Sequence, residues 1–241
     1  MIIEYDGSKF FGWQVQKKRS SIQGEIQKSL KKIFKRKIKI IGSGRTDSGV
    51  HALAQSANFK ININIDCKKL KNRINYNLKK KKISIISIKK KSQNFHARFS
   101  AQEREYRYFI INRDSHLTLD FLKAWHVRKK LDIKSMKKGA KILIGEHDFS
   151  TFRSSSCGAK SPIRYLKKTK VTQKKNGVIY LQFTSKSFLQ QQVRSMVGCI
   201  KYLGEGKWNL KKFTEVFKSK KRSMCAPPAP AHGLYLYKIK Y

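Results

Sequence analysis

Apolar residues recur every third or fourth position in some stretches of this chain and every second in others, and the two rhythms mark out predicted helices and strands. Residues 2–5 are β-prone and stop at the turn signal Asp6-Gly7-Ser8. Ser20 or Ser21 can then cap a helix whose apolar positions are Ile22, Ile26, Leu30 and Ile33 or Phe34. Strands are predicted at 38–41 and 53–59, with the glycine-rich loop 42–49 between them. Asp66 can cap a helix carrying Leu70, Ile74 and Leu78, and 83–88 alternates apolar residues with serine as a half-buried strand does. A strand over 104–112 leads into segments read as helical at 117–127 and 133–143. Strands near 164–172 and 178–184 precede a helix with Leu189, Val193, Met196, Val197, Ile200 and Leu203 on one face, from which Arg194 falls away. A helix at 210–217, the breakers Pro227, Pro228 and Pro230, and a closing strand at 234–241 complete the chain.

This order of elements predicts an α+β protein built on sheets with helices on one side. A length of 241 residues suits one large domain or two small ones sharing an interface. The boundary is expected near residue 100, with an N-terminal half over 1–100 carrying the glycine-rich loop and a C-terminal half over 101–241.

Charge narrows the partner. Lys and Arg number 56 against 14 Asp and Glu, a net +42, which a free protein tolerates poorly without a polyanion nearby. Lys, Ile and Asn are common and all have adenine- and thymine-rich codons, so compositional drift is the rival reading of that excess. The arginines are more informative. Of 13, seven lie in the segments that carry candidate chemistry: Arg45, Arg98, Arg104, Arg107, Arg153, Arg164 and Arg194. A planar guanidinium grips phosphate with two parallel hydrogen bonds, which an ammonium cannot do. Nucleic acid is the expected partner. Cys67, Cys157, Cys199 and Cys225 are scattered without a zinc-like spacing, so no metal is expected. No apolar run approaches the ~20 residues of a membrane span, and no signal core opens the chain, so the reducing cytoplasm is the expected location.

The run GSGRTDSGVHA over 42–52 is the strongest candidate for chemistry. Gly42, Gly44 and Gly49 let the backbone turn tightly and hold the Asp47 carboxylate out of the sheet. Arg45, two residues away, favours the charged form that a nucleophile or general base requires. A phosphate-binding P-loop fails on spacing, because Lys39 and Arg45 stand where that pattern needs Gly and Lys. The remaining alternative is an Asp bonding its own backbone in a turn.

Gly44-Arg45-Thr46-Asp47 with Gly49-Val50-His51-Ala52 resembles the signature of the tRNA pseudouridine synthase A family. Glu4-Tyr5-Asp6-Gly7 and Phe11-Gly12-Trp13-Gln14 are similar to the family's opening. Phe95-His96-Ala97-Arg98-Phe99-Ser100 and Arg104-Glu105-Tyr106-Arg107-Tyr108 are similar to its central block. Gly145-Glu146-His147-Asp148-Phe149, Ser161-Pro162-Ile163-Arg164, Val193-Arg194 with Val197-Gly198, and 229–236 extend the resemblance over nearly the whole chain.

The resemblance implies a pseudouridine-synthase-like α+β fold with the active-site cleft between its two halves. It implies Asp47 as the catalytic aspartate, Tyr106 as the aromatic stacking on or near the target uracil, Arg194 as the residue contacting the aspartate, and Arg45 as a group holding the flipped base out. It further implies a homodimer, a tRNA substrate modified on the 3′ side of the anticodon arm at positions 38–40, and no cofactor. Gln190, Gln191, Gln192 and Ser195 depart from the family pattern, which puts RNA contact there in question. The rival from another class is an inactive basic tRNA-binding or RNA-chaperone protein of the same fold; a nucleotide-binding protein is a distant third.

Overall fold

The computed structural model describes residues 1–241 and divides into two compact units, 1–102 with 235–241, and 103–234. The first unit holds β1 (Ile2–Tyr5), α1 (Ile22–Phe34), β2 (Ile41–Gly42), β3 (His51–Asn58), α2 (Cys67–Leu78) and β4 (Ile83–Ser87). The second holds β5 (Glu103–Asn112), β6 (Trp125–Val127), α3 (Ile133–Ile142), β7 (Gly145–Asp148), β8 (Ile163–Gln173), β9 (Val178–Ser185), α4 (Gln192–Gly204) and α5 (Leu210–Lys218). The closing strand, β10 (Leu234–Lys240), returns to the first unit.

In the first unit the strand order is β4-β1-β3-β10, antiparallel except where β10 runs parallel to β3, pairing Tyr235 with His51 and Leu236 with Ala52. α1 starts where Ser21 Oγ accepts the Gly24 N–H at 3.2 Å, and α2 where the Asp66 carboxylate accepts from Lys68 and Lys69. Ile22, Ile26 and Leu30 of α1 and Leu70, Ile74 and Leu78 of α2 are almost wholly buried, each stabilising the unit by about 1.5–3 kcal/mol. α2 also ties down β4. Asn75 accepts the Ile85 N–H at 2.7 Å and donates to the Ile85 carbonyl at 3.0 Å, standing in for a neighbouring strand.

In the second unit β5, β9, β8 and β7 form an antiparallel run, with β6 added parallel to β5. Helices α3, α4 and α5 complete it. A methyl group on Gly139 of α3 would fall 2.2 Å from Leu203 of α4, so those helices meet at a bare backbone. Both units are thus α+β, and no helix is long and apolar enough to cross a membrane.

Two predicted elements are corrected. The strand expected at 38–41 shrinks to Ile41–Gly42, because α1 takes the backbone groups of Ile40: Gln27 accepts its N–H at 3.2 Å and Gln23 donates to its carbonyl at 3.0 Å. The helix expected at 117–127 does not form. Leu119 and Phe121 are largely exposed, Leu122 adopts a left-handed φ of 57°, and Trp125–Val127 pairs with β5 as a strand. Asn112 anchors that strand by donating to the carbonyls of Val127 and Lys129 at 2.7 and 2.8 Å.

Candidate active-site loop and its surroundings

The loop over 43–50 joins β2 to β3 and is held from both sides by hydrogen bonds of backbone and side chains. Ser43 N–H donates to the Ser56 carbonyl at 2.8 Å, its hydroxyl donates to Gln55 Oε1 at 2.7 Å, and Gln55 Nε2 donates to the Gly44 carbonyl at 2.8 Å. Farther along, Trp13 N–H donates to the Thr46 carbonyl at 3.1 Å. Tyr5 and Thr46 share a hydroxyl–hydroxyl bond of 2.8 Å, and Gly49 N–H donates to the Phe10 carbonyl at 3.3 Å. Asp47 is therefore bracketed by two anchored residues.

That bracket depends on segment 7–13 lying directly beneath the loop. A methyl on Gly7 would fall 2.0 Å from the Val50 carbonyl oxygen, and one on Gly12, whose φ is +82°, would fall 2.6 Å from the Thr46 oxygen. A methyl on Gly42 would fall 2.5 Å from the buried Trp13 ring. Only bare backbones can approach so nearly. The glycines of the opening segment thus serve the loop, a tertiary relation that spacing along the chain does not reveal.

The Asp47 side chain is half-buried, between the buried Thr46 and the exposed Ser48, while Arg45 is exposed. Next along the chain, His51 is fully buried, its Nδ1 lying 3.1 Å from the Gly7 amide and 3.2 Å from Asp6 Oδ1. Its ring stacks on Tyr235 at 4.7 Å between centroids. The result is a half-buried carboxylate on a backbone fixed by its neighbours.

The second unit carries the other two predicted residues. On β5 the alternation buries Arg104, Tyr106, Tyr108 and Ile110 on one face. Tyr106 lies opposite Phe183 and meets the Phe188 ring edge-on at 5.2 Å. Arg104 donates to the Lys186 carbonyl, and Arg107, on the other face, pairs with Glu105 at 2.7 Å. Arg194, in the first turn of α4, is half-buried and donates from Nε to the Ala229 carbonyl at 2.8 Å.

Two residues not singled out in the sequence lie in the field of Arg194. Burial pushes the Tyr108 phenol well above its ordinary range, the Arg194 charge opposing without cancelling, and its hydroxyl donates to the Pro230 carbonyl at 2.8 Å. Burial, then the Arg194 charge, hold His232 below the usual imidazole range, against a backbone hydrogen bond with Ala124. The alternation through Arg104, Tyr106 and Tyr108 was the available signal for Tyr108; none marked His232 beyond its place after Pro230.

Of the departures from the family pattern, Gln190 is exposed, its carbonyl accepting the Ser154 N–H at 3.1 Å, and the other three occupy structural positions. Gln191 takes a left-handed φ of 62° to start α4, and the buried Gln192 accepts the Leu189 N–H at 2.8 Å. Ser195 is fully buried and accepts from Arg222 Nη1 at 2.9 Å. No group of three or more His, Cys, Asp and Glu side chains is arranged to hold a metal ion.

Comparison with known proteins adds an independent line. A family model described as "tRNA pseudouridine synthase" matches residues 1–100 and 140–241. A protein of Pelagibacter ubique (strain HTCC1062) named "tRNA pseudouridine synthase A" is 56% identical over 248 residues, covering 100% of this chain and 98% of its own. Proteins of the same name from Maricaulis maris (strain MCS10) and Rhodopseudomonas palustris (strain BisA53) are 42% and 41% identical. They cover 99% and 100% of this chain, and 96% and 98% of their own lengths.

Proposed function

The chain belongs to the tRNA pseudouridine synthase family, and on that premise we propose how its residues act. The enzyme isomerises uridine to pseudouridine in tRNA. The reaction breaks the bond from ribose C1′ to uracil N1, turns the base, joins C5 to C1′ and releases the C5 hydrogen as a proton. It is redox-neutral and involves no net hydrolysis.

Asp47 is the catalytic carboxylate. The observation that carries this assignment is its carboxylate held half-buried on a loop anchored at Thr46 and Gly49, within the run that matches the family signature. Three routes are open to that carboxylate: attack at C1′, addition at C6, or abstraction of a sugar proton to give a glycal. Tyr106 stacks on or near the target uracil, Arg194 contacts the aspartate, and Arg45 holds the extruded base; these three roles come from the family pattern at the matching positions. Flipping the nucleotide costs a few kcal/mol, offset by stacking and polar contacts. Loss of the C5 proton needs a base, for which Tyr106 or a relay through it is the candidate.

The substrate site is the 3′ side of the anticodon arm at positions 38–40, the working form is a homodimer, and the enzyme acts in the cytoplasm. A net charge of +42 supplies the phosphate-tracking surface such a substrate needs. The test is incubation with tRNA labelled with tritium at uridine C5, without added metal or nucleotide, followed by mapping of modified positions. Release of label with pseudouridine confined to positions 38–40 is expected. Salt-sensitive tRNA binding with no release, or modification elsewhere, overturns the reading.

A further inference from the structure

Helix α4 and the returning segment 222–229 run side by side and are joined at four successive points. Arg222 Nη1 donates to Ser195 Oγ at 2.9 Å, and the sulfurs of Cys199 and Cys225 lie 3.5 Å apart. A methyl on Gly198 would fall 2.1 Å from the Pro227 carbonyl oxygen. Ala229 N–H donates to the Arg194 carbonyl at 3.0 Å and its own carbonyl accepts from Arg194 Nε at 2.8 Å. Arg194 is therefore held by the same seam that brings the two thiols together.

The thiols are unlike. Cys199 is fully buried on α4, whereas Cys225 is partly exposed. The hydrogen bond shared with Cys199, and then the charge of Arg222, hold the Cys225 thiol below its ordinary range against burial; the same bond and burial push Cys199 up. Cys225 is thus both the more reachable and the more thiolate-like of the two, the character of an oxidisable cysteine with a resolving partner beside it. Their 3.5 Å separation compares with about 2.05 Å in a disulfide, a gap of side-chain scale. No step of the isomerisation proposed above uses either residue.

We propose that Cys199 and Cys225 form an oxidative modification site, at which a hydroperoxide closes a disulfide that locks segment 222–229 onto α4 and alters how Arg194 is held. The Cys225 thiolate attacks the terminal peroxide oxygen, the O–O bond breaks, and the alkoxide leaves as the alcohol after taking a proton. The sulfur of Cys199 then displaces hydroxide from the sulfenic acid at Cys225, and with the Cys199 proton that hydroxide becomes water. In total two thiols lose two electrons and two protons, and one hydroperoxide becomes an alcohol and water. A dithiol reductant reverses the change by thiol–disulfide exchange.

The test treats reduced, full-length protein with tert-butyl hydroperoxide, blocks remaining thiols and digests it without reductant for peptide mass analysis. A peptide bearing Cys199 joined to one bearing Cys225 is expected, removed by dithiothreitol and absent from Cys225→Ser, a near-isosteric change at a partly exposed position. Oxidation of Cys225, Cys157 or Cys67 without that link overturns the site. The functional arm rests on the proposed tRNA reaction, whereas the linkage does not, so the two can fail separately. Oxidised and reduced protein should differ by about 2- to 30-fold in tRNA affinity or kcat/KM, the range of coupling between packed neighbours, and Cys225→Ser should show no difference after the same treatment. A disulfide that forms while both quantities stay unchanged overturns the locking of Arg194.

Discussion

Replacing Gly12 with Ala tests whether segment 7–13 sets the loop that presents Asp47. The new methyl group would stand 2.6 Å from the Thr46 carbonyl oxygen where ordinary contact begins near 3.4 Å, so about 0.8 Å must be relieved by moving backbone. A φ of +82° costs an L residue about 1–2 kcal/mol in its own right. Displacing the Thr46 oxygen also strains the bond it accepts from Trp13, worth about 1 kcal/mol. The expected loss of stability is about 2–3 kcal/mol, read from urea unfolding. Because the peptide that shifts is the one leading into Asp47, kcat for C5-hydrogen release should fall by about 100-fold, the scale of a misplacement near 1 Å. Gly206→Ala is the matched control: its φ is +71°, but nothing lies within 4 Å of the added methyl. It should lose only about 1–2 kcal/mol and keep its turnover. Equal losses of stability in the two variants, with kcat unchanged in both, would refute the reasoning.

Tyr5→Phe removes the partner of the buried Thr46 hydroxyl and should lower stability by about 1–2 kcal/mol, with a smaller fall in kcat than Gly12→Ala; urea unfolding and the hydrogen-release assay measure both. His232, held below its unfolded value, contributes stability that is complete above about pH 6.5 and is lost as pH falls through its lower folded value. The urea midpoint of the parent should therefore drop more between pH 7.5 and 5.5 than that of His232→Gln, and parallel pH profiles would contradict this. Asn75→Ala leaves both backbone groups of Ile85 without their side-chain partner and should cost about 1–3 kcal/mol in unfolding while kcat stays at the parent value.

Capped, one-sided helices were the most legible part of this chain. Ser21 and Asp66 each begin a helix as expected, because a cap and a four-residue spacing are local signals. Elements made by their neighbours were not. Gly145–Asp148 is mostly polar and becomes a strand by pairing with β8, and Trp125–Val127 becomes one because β5 and Asn112 receive it. Apolar residues alone misled at 117–127, where Leu119 and Phe121 find no face to cover. In the loop, the glycines and the adjacent Arg45 and Asp47 stand out from composition. What holds them does not: Gly7, Gly12 and Trp13 matter through contacts spanning more than thirty positions of sequence. Tyr108 and His232 stood within family-like motifs without a role of their own; alternation along β5 marked Tyr108 as inward-facing, but burial beside the charge of Arg194 is a tertiary property for both.

The most direct test of the account substitutes a single carboxylate. Asp47→Asn should unfold in urea at the parent midpoint and bind tRNA with parent affinity, yet release no C5 tritium above background in a single-turnover experiment with enzyme in excess. Release by that folded variant at the parent rate would contradict the assignment of Asp47 as the catalytic carboxylate.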